Sequence, residues 1–106
     1  MDINQKAKEL AYYIKGTKEF KNMNRYKDEL EKNKNLKKHL NTYLSKKNQI
    51  YSKYKIDEAN KRVSKLDKEY INFFSNPIVT NYMNSTNEFN NMMKKIYSSI
   101  EGELLK

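Results

Sequence analysis

Cysteine is absent from this chain, proline occurs once and glycine twice. Without cysteine there is no disulfide framework, no Cys-ligated zinc or iron–sulfur site and no thiol nucleophile. Sheets need turns, and tight turns draw on Gly, Pro or Asn-Gly pairs. Gly16, Gly102 and Pro77 are not spaced to make hairpins. Few breakers predict few, long elements, which means helices. No stretch approaches the roughly 20 apolar residues needed to span a bilayer. The opening Met-Asp-Ile-Asn-Gln-Lys lacks the apolar core of a signal peptide. The expected location is the cytoplasm, with no membrane partner.

What is present is charge. The chain has 106 residues, expected to form a single helical domain over 1–106, with 33% charged and 37% hydrophobic residues and a net charge of +9. A compact domain of this size buries roughly two-thirds of its unfolded surface. Lysine supplies twenty of the twenty-two basic residues, whereas base-reading proteins lean on arginine for bidentate contacts. The heavy pairing of Lys with Asn also matches what an AT-rich genome imposes on tolerant surface positions. The distribution says more than the total. Residues 1–53 carry fourteen basic and six acidic side chains, residues 54–106 eight and seven, and Lys32 to Lys55 holds eight lysines and no acid.

Periodicity divides the chain. Ile3, Ala7, Leu10, Ala11 and Ile14 form one helical stripe, stopped at Gly16 in the position of a C-terminal cap. Thr17 suits the N-cap of a second helix, with Glu19 in its first turn. That helix carries Phe20, Met23, Tyr26 and Leu30 and ends near Asn33–Asn35. A third helix places Leu36, Leu40, Tyr43, Leu44, Lys47, Ile50, Tyr51 and Tyr54 on one face, with Lys47 snorkelling to its edge. The phase then breaks. Ile56, Ala59, Val63, Leu66, Tyr70 and Phe73 make a second series, out of step with the first. This fits either one long helix with a stammer or a helical hairpin with Asp57 as N-cap. The hairpin is favoured, because its two amphipathic helices share one core. Ser75-Asn76-Pro77 is the clearest stop, with Asn76 as N-cap and Pro77 at N1. A last helix runs from Pro77 to about Leu104, with Ile78, Tyr82, Ser85, Phe89, Met92, Met93, Ile96 and Ile100 along one seam. The expected fold is all-α: two short N-terminal helices, a long helical hairpin and a long C-terminal helix, bundle-like and completed by self-association.

Catalytic chemistry finds no purchase here. His39 is the sole histidine and reads as a surface side chain. The carboxylates Glu9, Glu19, Asp28, Glu29 and Glu31 lie among lysines as helix-surface partners, as do Asp57, Glu58, Asp67 and Glu69. There is no glycine-rich phosphate loop, no Ser/His/Asp set and no metal-ligand spacing. The protein is expected to be no enzyme and to need no cofactor or metal.

Two segments read as binding surface. Ile71 to Asn87 is seventeen residues without a charge, and its apolar side chains spread around the helix. Phe74, Val79 and Met83 fall off the main stripe, so Phe74, Ile78, Val79, Tyr82 and Met83 are the candidate interface for a second copy, with core beneath a bend at Pro77 as the alternative. The acid-free segment interleaves lysines with tyrosines, making Lys37, Lys38, Lys46, Lys53 and Lys55 candidate contacts to nucleic acid or an acidic protein. The alternative is a solvated lysine face behind tyrosines that fill the core.

The run Asn76-Pro77-Ile78-Val79-Thr80-Asn81-Tyr82-Met83, with Glu88-Phe89, Ile96, Ile100 and Gly102, resembles the C-terminal helix of the YlbF/YmcA/YheA family of small bacterial proteins. Ala7-x-x-Leu10-Ala11-x-x-Ile14 followed by Glu19-Phe20 is similar to its opening helix, with Thr17 and Phe20 where Ser and Tyr are usual. The resemblance covers essentially the whole chain and looks closest to the YheA-like branch. It implies an all-helical, dimeric or higher homo-oligomer without enzymatic activity. Some members modulate the endoribonuclease RNase Y and, with it, competence, sporulation and biofilm formation. Cysteines associate members of that complex with iron–sulfur clusters, and this chain has none. The function expected is a regulatory adaptor acting through protein contacts, with the RNA-decay machinery among its candidate partners. The alternative is a basic helical nucleic-acid-binding protein using Lys32–Lys55.

Overall fold

The computed structural model describes residues 2–106, which form six helices and no strand. They are α1 (Ile3–Lys15), α2 (Lys18–Lys32), α3 (Lys34–Lys53), α4 (Ile56–Glu69), α5 (Ile71–Phe74) and α6 (Pro77–Leu104). The all-α expectation holds. Two compact units are distinguished: unit 1 combines residues 1–28 with 81–106, and unit 2 is residues 29–80.

Side-chain caps set most of the boundaries. Asp2 accepts from the Asn4 N–H at 3.0 Å and opens α1. Gly16 ends α1 with φ −82°, an ordinary right-handed conformation, so its freedom at positive φ is unused. The break is completed by Thr17, whose hydroxyl donates to the Ile14 carbonyl at 2.6 Å and accepts from the Phe20 N–H at 3.2 Å. One side chain thus closes α1 and caps α2. Asn33 accepts from the Leu36 N–H at 3.2 Å to start α3, and Asn76 accepts from the Ile78 N–H at 2.9 Å to start α6 behind Pro77.

Between α3 and α4 the chain turns, as the phase break predicts. The turn falls two residues earlier than expected: Tyr54 and Lys55 are extended, and α4 begins at Ile56. Asp57 is therefore not the N-cap. It lies with Glu58 in the first turn, where a carboxylate complements the helix dipole without bonding a backbone N–H as the cap. The second apolar series is also interrupted. Tyr70, at φ −100° and ψ 12°, separates α4 from the single turn of α5. Its N–H is shared between the Leu66 and Asp67 carbonyls, both at 3.2 Å, a tightened helix end.

The core of unit 2 forms between α3 and α4, from Leu40, Tyr43, Ala59, Val63 and Leu66, joined by Leu30 and Val79 as further buried side chains. Tyr43 is its polar pivot. Its ring meets Phe74 at 4.8 Å and Tyr70 at 5.2 Å between centroids, both edge-on, the arrangement that aromatic quadrupoles favour. Its hydroxyl donates to Asp67 Oδ1 at 2.5 Å, tying α3 to α4. Burial, reinforced by that carboxylate, pushes the Tyr43 phenol well above its ordinary range. In unit 1, Phe20 of α2 and Phe89 of α6 meet at 6.0 Å, and Ser85 is buried, its hydroxyl donating to the Tyr82 carbonyl at 2.9 Å.

Tyr43→Phe keeps the ring packing and removes the bond to Asp67, so denaturant unfolding should show a loss of about 1 kcal/mol. The same variant tests the titration. A tyrosine held neutral in the fold contributes stability in full below its ordinary value of about 10. That contribution is lost as pH rises further, because the unfolded state then binds fewer protons. The stability difference between wild type and Tyr43→Phe should accordingly shrink as pH rises above about 10. Val79 is completely buried, so Val79→Ala should cost about 1–3 kcal/mol in the same assay.

Candidate interaction surfaces

The five apolar candidates are covered to different degrees. In unit 2, Phe74 is half-buried and packed edge-on against Tyr43, Ile78 is half-buried, and Val79 is 0% exposed. In unit 1, Tyr82 and Met83 are half-buried. Val79 is the correction: falling off the main stripe of α6, it was expected to face outward, and it is instead wholly enclosed. The physical reason lies in the start of α6. Its first turn follows directly on α5 and is fastened to it by the Thr80 hydroxyl, which donates to the Phe74 carbonyl at 2.7 Å. A helix start held that closely is covered on more than one side, so a single-face helical pattern does not describe it.

The basic candidates lie where the pattern puts them. Lys37, Lys38, Lys46, Lys53 and Lys55 are all exposed. The ion pairs among the described residues are Lys6–Glu9, Arg62–Glu58 and Lys106–Glu103, and none involves a lysine between positions 32 and 55. Lys46 and Lys47 lean back over aromatic faces, with their ammonium groups 5.5 Å from the Tyr70 ring and 6.0 Å from the Tyr43 ring. Lys47 is half-buried, the snorkelling its position predicts. His39 is exposed; its Nδ1 lies 2.8 Å from the Asn35 carbonyl and its ring stacks on Phe73 at 6.0 Å. It stands on the rim of the aromatic cluster, near no other ionisable partner in an ion pair.

A third surface escaped the pattern. The stripe of α1 buries nothing. Exposure rises along it toward the N-terminus, from half-buried Ile14 to Leu10 at 40% and Ile3 at 81%. The seam of α6 behaves alike in the other direction, from half-buried Ile96 to Ile100 at 46% and Leu104 at 78%. Both stripes are legible as amphipathic faces in the sequence. Whether anything within unit 1 covers them is a tertiary property, and no local signal carries it.

No described helix is long and apolar enough to cross a membrane. No curated protein and no solved structure matches the chain at a significant level. The family model described as "Control of competence regulator ComK, YlbF/YmcA" matches residues 3–104. A match across nearly the full length places this protein in the YlbF/YmcA family.

Proposed function

We propose that this protein is a regulatory adaptor that acts by protein–protein contact and pairs with a second copy of itself through unit 1. The family description, control of a competence regulator, supports a regulatory role. The observation that carries the contact mechanism is the pair of uncovered apolar seams on α1 and the C-terminal part of α6. Ile3, Leu10, Ile100 and Leu104 are all exposed large apolar side chains, and a standard interface covers about 800 Å² per partner. An amphipathic helix of thirteen residues that buries nothing is marginal on its own in water. Burial against another helix pair gives both seams the core they lack.

Charge favours the same site. Unit 1 carries ten basic and seven acidic residues, unit 2 twelve and six. Two copies meeting through unit 1 face less repulsion than two meeting through unit 2. Glu101, close to Leu104 and in no ion pair among the described residues, is available to the exposed Lys8 of another copy. Further partners, with the RNA-decay machinery the leading candidate from the family resemblance, would bind the paired protein.

Leu10→Glu and Ile100→Glu test the pairing. Both side chains are exposed within the chain, so circular dichroism should stay helical while light scattering reports the mass of a monomer. Unchanged mass in both variants would remove unit 1 as the meeting surface; loss of mass only in Met83→Glu would move it to the middle of α6. Capture from host lysate tests the adaptor role. Specific protein partners should persist after nuclease treatment and be lost with the monomeric variants.

A further inference from the structure

The outer face of α3 remains unused by the core and by the apolar seams of unit 1. It is lined by Lys34, Lys37, Lys38 and Lys46, with Asn41 and Ser45 between them, around a shallow trough of about 630 Å³. Every one of these side chains is exposed. The helix runs twenty residues, about 30 Å at the α-helical rise, and the exposed Lys53 lies in its last turn. No acid occurs between Lys32 and Lys55, and no lysine there is ion-paired among the described residues. The adjoining helix differs. On α4, Lys61, Arg62, Lys65 and Lys68 are interspersed with Asp57, Glu58, Asp67 and Glu69, and Arg62 is bound to Glu58 at 3.0 Å. The positive field of unit 2 is therefore concentrated on α3.

We infer that the outer face of α3 binds the sugar–phosphate backbone of nucleic acid, without reading its sequence. Two observations select this partner and this mode of binding. The trough presents cationic and neutral hydrogen-bonding side chains and no large apolar one, whereas a protein interface gets most of its energy from buried aromatic and apolar anchors. A phosphate backbone needs no such anchor: ammonium groups replace its counterions, and Asn, Ser and Thr side chains bond its oxygens. The cations are lysines, point charges suited to phosphate and poor at the bidentate contact that distinguishes a base. This face serves a different partner from the apolar seams of unit 1, and each stands without the other.

The test is fluorescence anisotropy with a labelled single-stranded RNA and a labelled duplex DNA, titrated with the full chain between about 50 and 200 mM salt. The wild type should bind at least one with a dissociation constant of about 1–100 µM, weakening log-linearly with salt. Lys34→Gln/Lys37→Gln/Lys38→Gln should weaken binding about tenfold or more and flatten the salt slope by about two to three. The comparison variant Lys21→Gln/Lys94→Gln/Lys95→Gln removes the same charge from exposed positions in unit 1 and should bind within about threefold of wild type. Equal loss in both variants would reduce the binding to net charge and overturn the inference. So would no binding to either nucleic acid at the lowest salt, or tighter binding to a polyglutamate peptide abolished by the same α3 substitutions.

Discussion

The hydrogen bond between Tyr43 and Asp67, set inside an edge-on cluster with Tyr70 and Phe74, fixes how α3, α4 and α5 close on one another. Its strength comes from its setting. The phenol is buried and must have a partner, and an ionised acceptor makes a shorter and stronger bond than a neutral one. Asp67 remains exposed and keeps its hydration, so the pair avoids the cost of burying a charge. The cluster also sets the interruption at Tyr70, where a tightened turn delivers Phe73 and Phe74 to the same hub. From there the Thr80 hydroxyl holds the start of α6 to α5. The start of α6, within unit 2, is thus tied to a short chain of contacts that begins at one phenol.

Capping chemistry made most of the helix boundaries legible in the sequence. Thr17, Asn76 and Pro77 do locally what their residue types predict, because a cap depends on three or four neighbouring residues and little else. The phase slip after Tyr54 likewise separated α3 from α4. Asp57 marks the limit of that reasoning. A carboxylate just before an apolar series fits the N-cap and the first turn almost equally well, and the choice rests on where the backbone becomes extended. The stop at Tyr70 had no sequence signal, since Tyr70, Phe73 and Leu66 keep a helical spacing straight through it.

Covering was the part the sequence withheld. A helical pattern shows which side chains share a face, and Val79 and Ile3 were both placed on faces in that way. It does not show how many faces the fold encloses. Val79, off the main stripe, ended fully buried, while Ile3, on a clean stripe, ended 81% exposed. The difference comes from neighbours. The first turn of α6 is hydrogen-bonded back to α5 through Thr80, and the first turn of α1 belongs to a helix that buries none of its own residues. Exposed apolar residues scattered singly are ordinary. A gradient of exposure along two amphipathic seams is informative, because amphipathic patterning specifies a covered face.

The two surfaces that remain open obey opposite physics, and they lie in different units. The seams of unit 1 gain by excluding water and depend weakly on ionic strength, since apolar burial is non-directional and uncharged. A lysine face that meets a polyanion gains by releasing counterions, and that gain weakens steeply with salt. Putting a +6 surface at a self-association seam would set like charges against each other at the distances where interfaces lose several kcal/mol. Seams in unit 1, which has ten basic and seven acidic residues against twelve and six in unit 2, reduce that conflict. If both surfaces act, pairing brings two basic faces into one particle. Linked contacts to a polyanion then multiply through effective concentration, without any new contact being formed. The consequence is that loss of pairing should weaken an electrostatic partner at constant lysine count, a coupling that neither surface has alone.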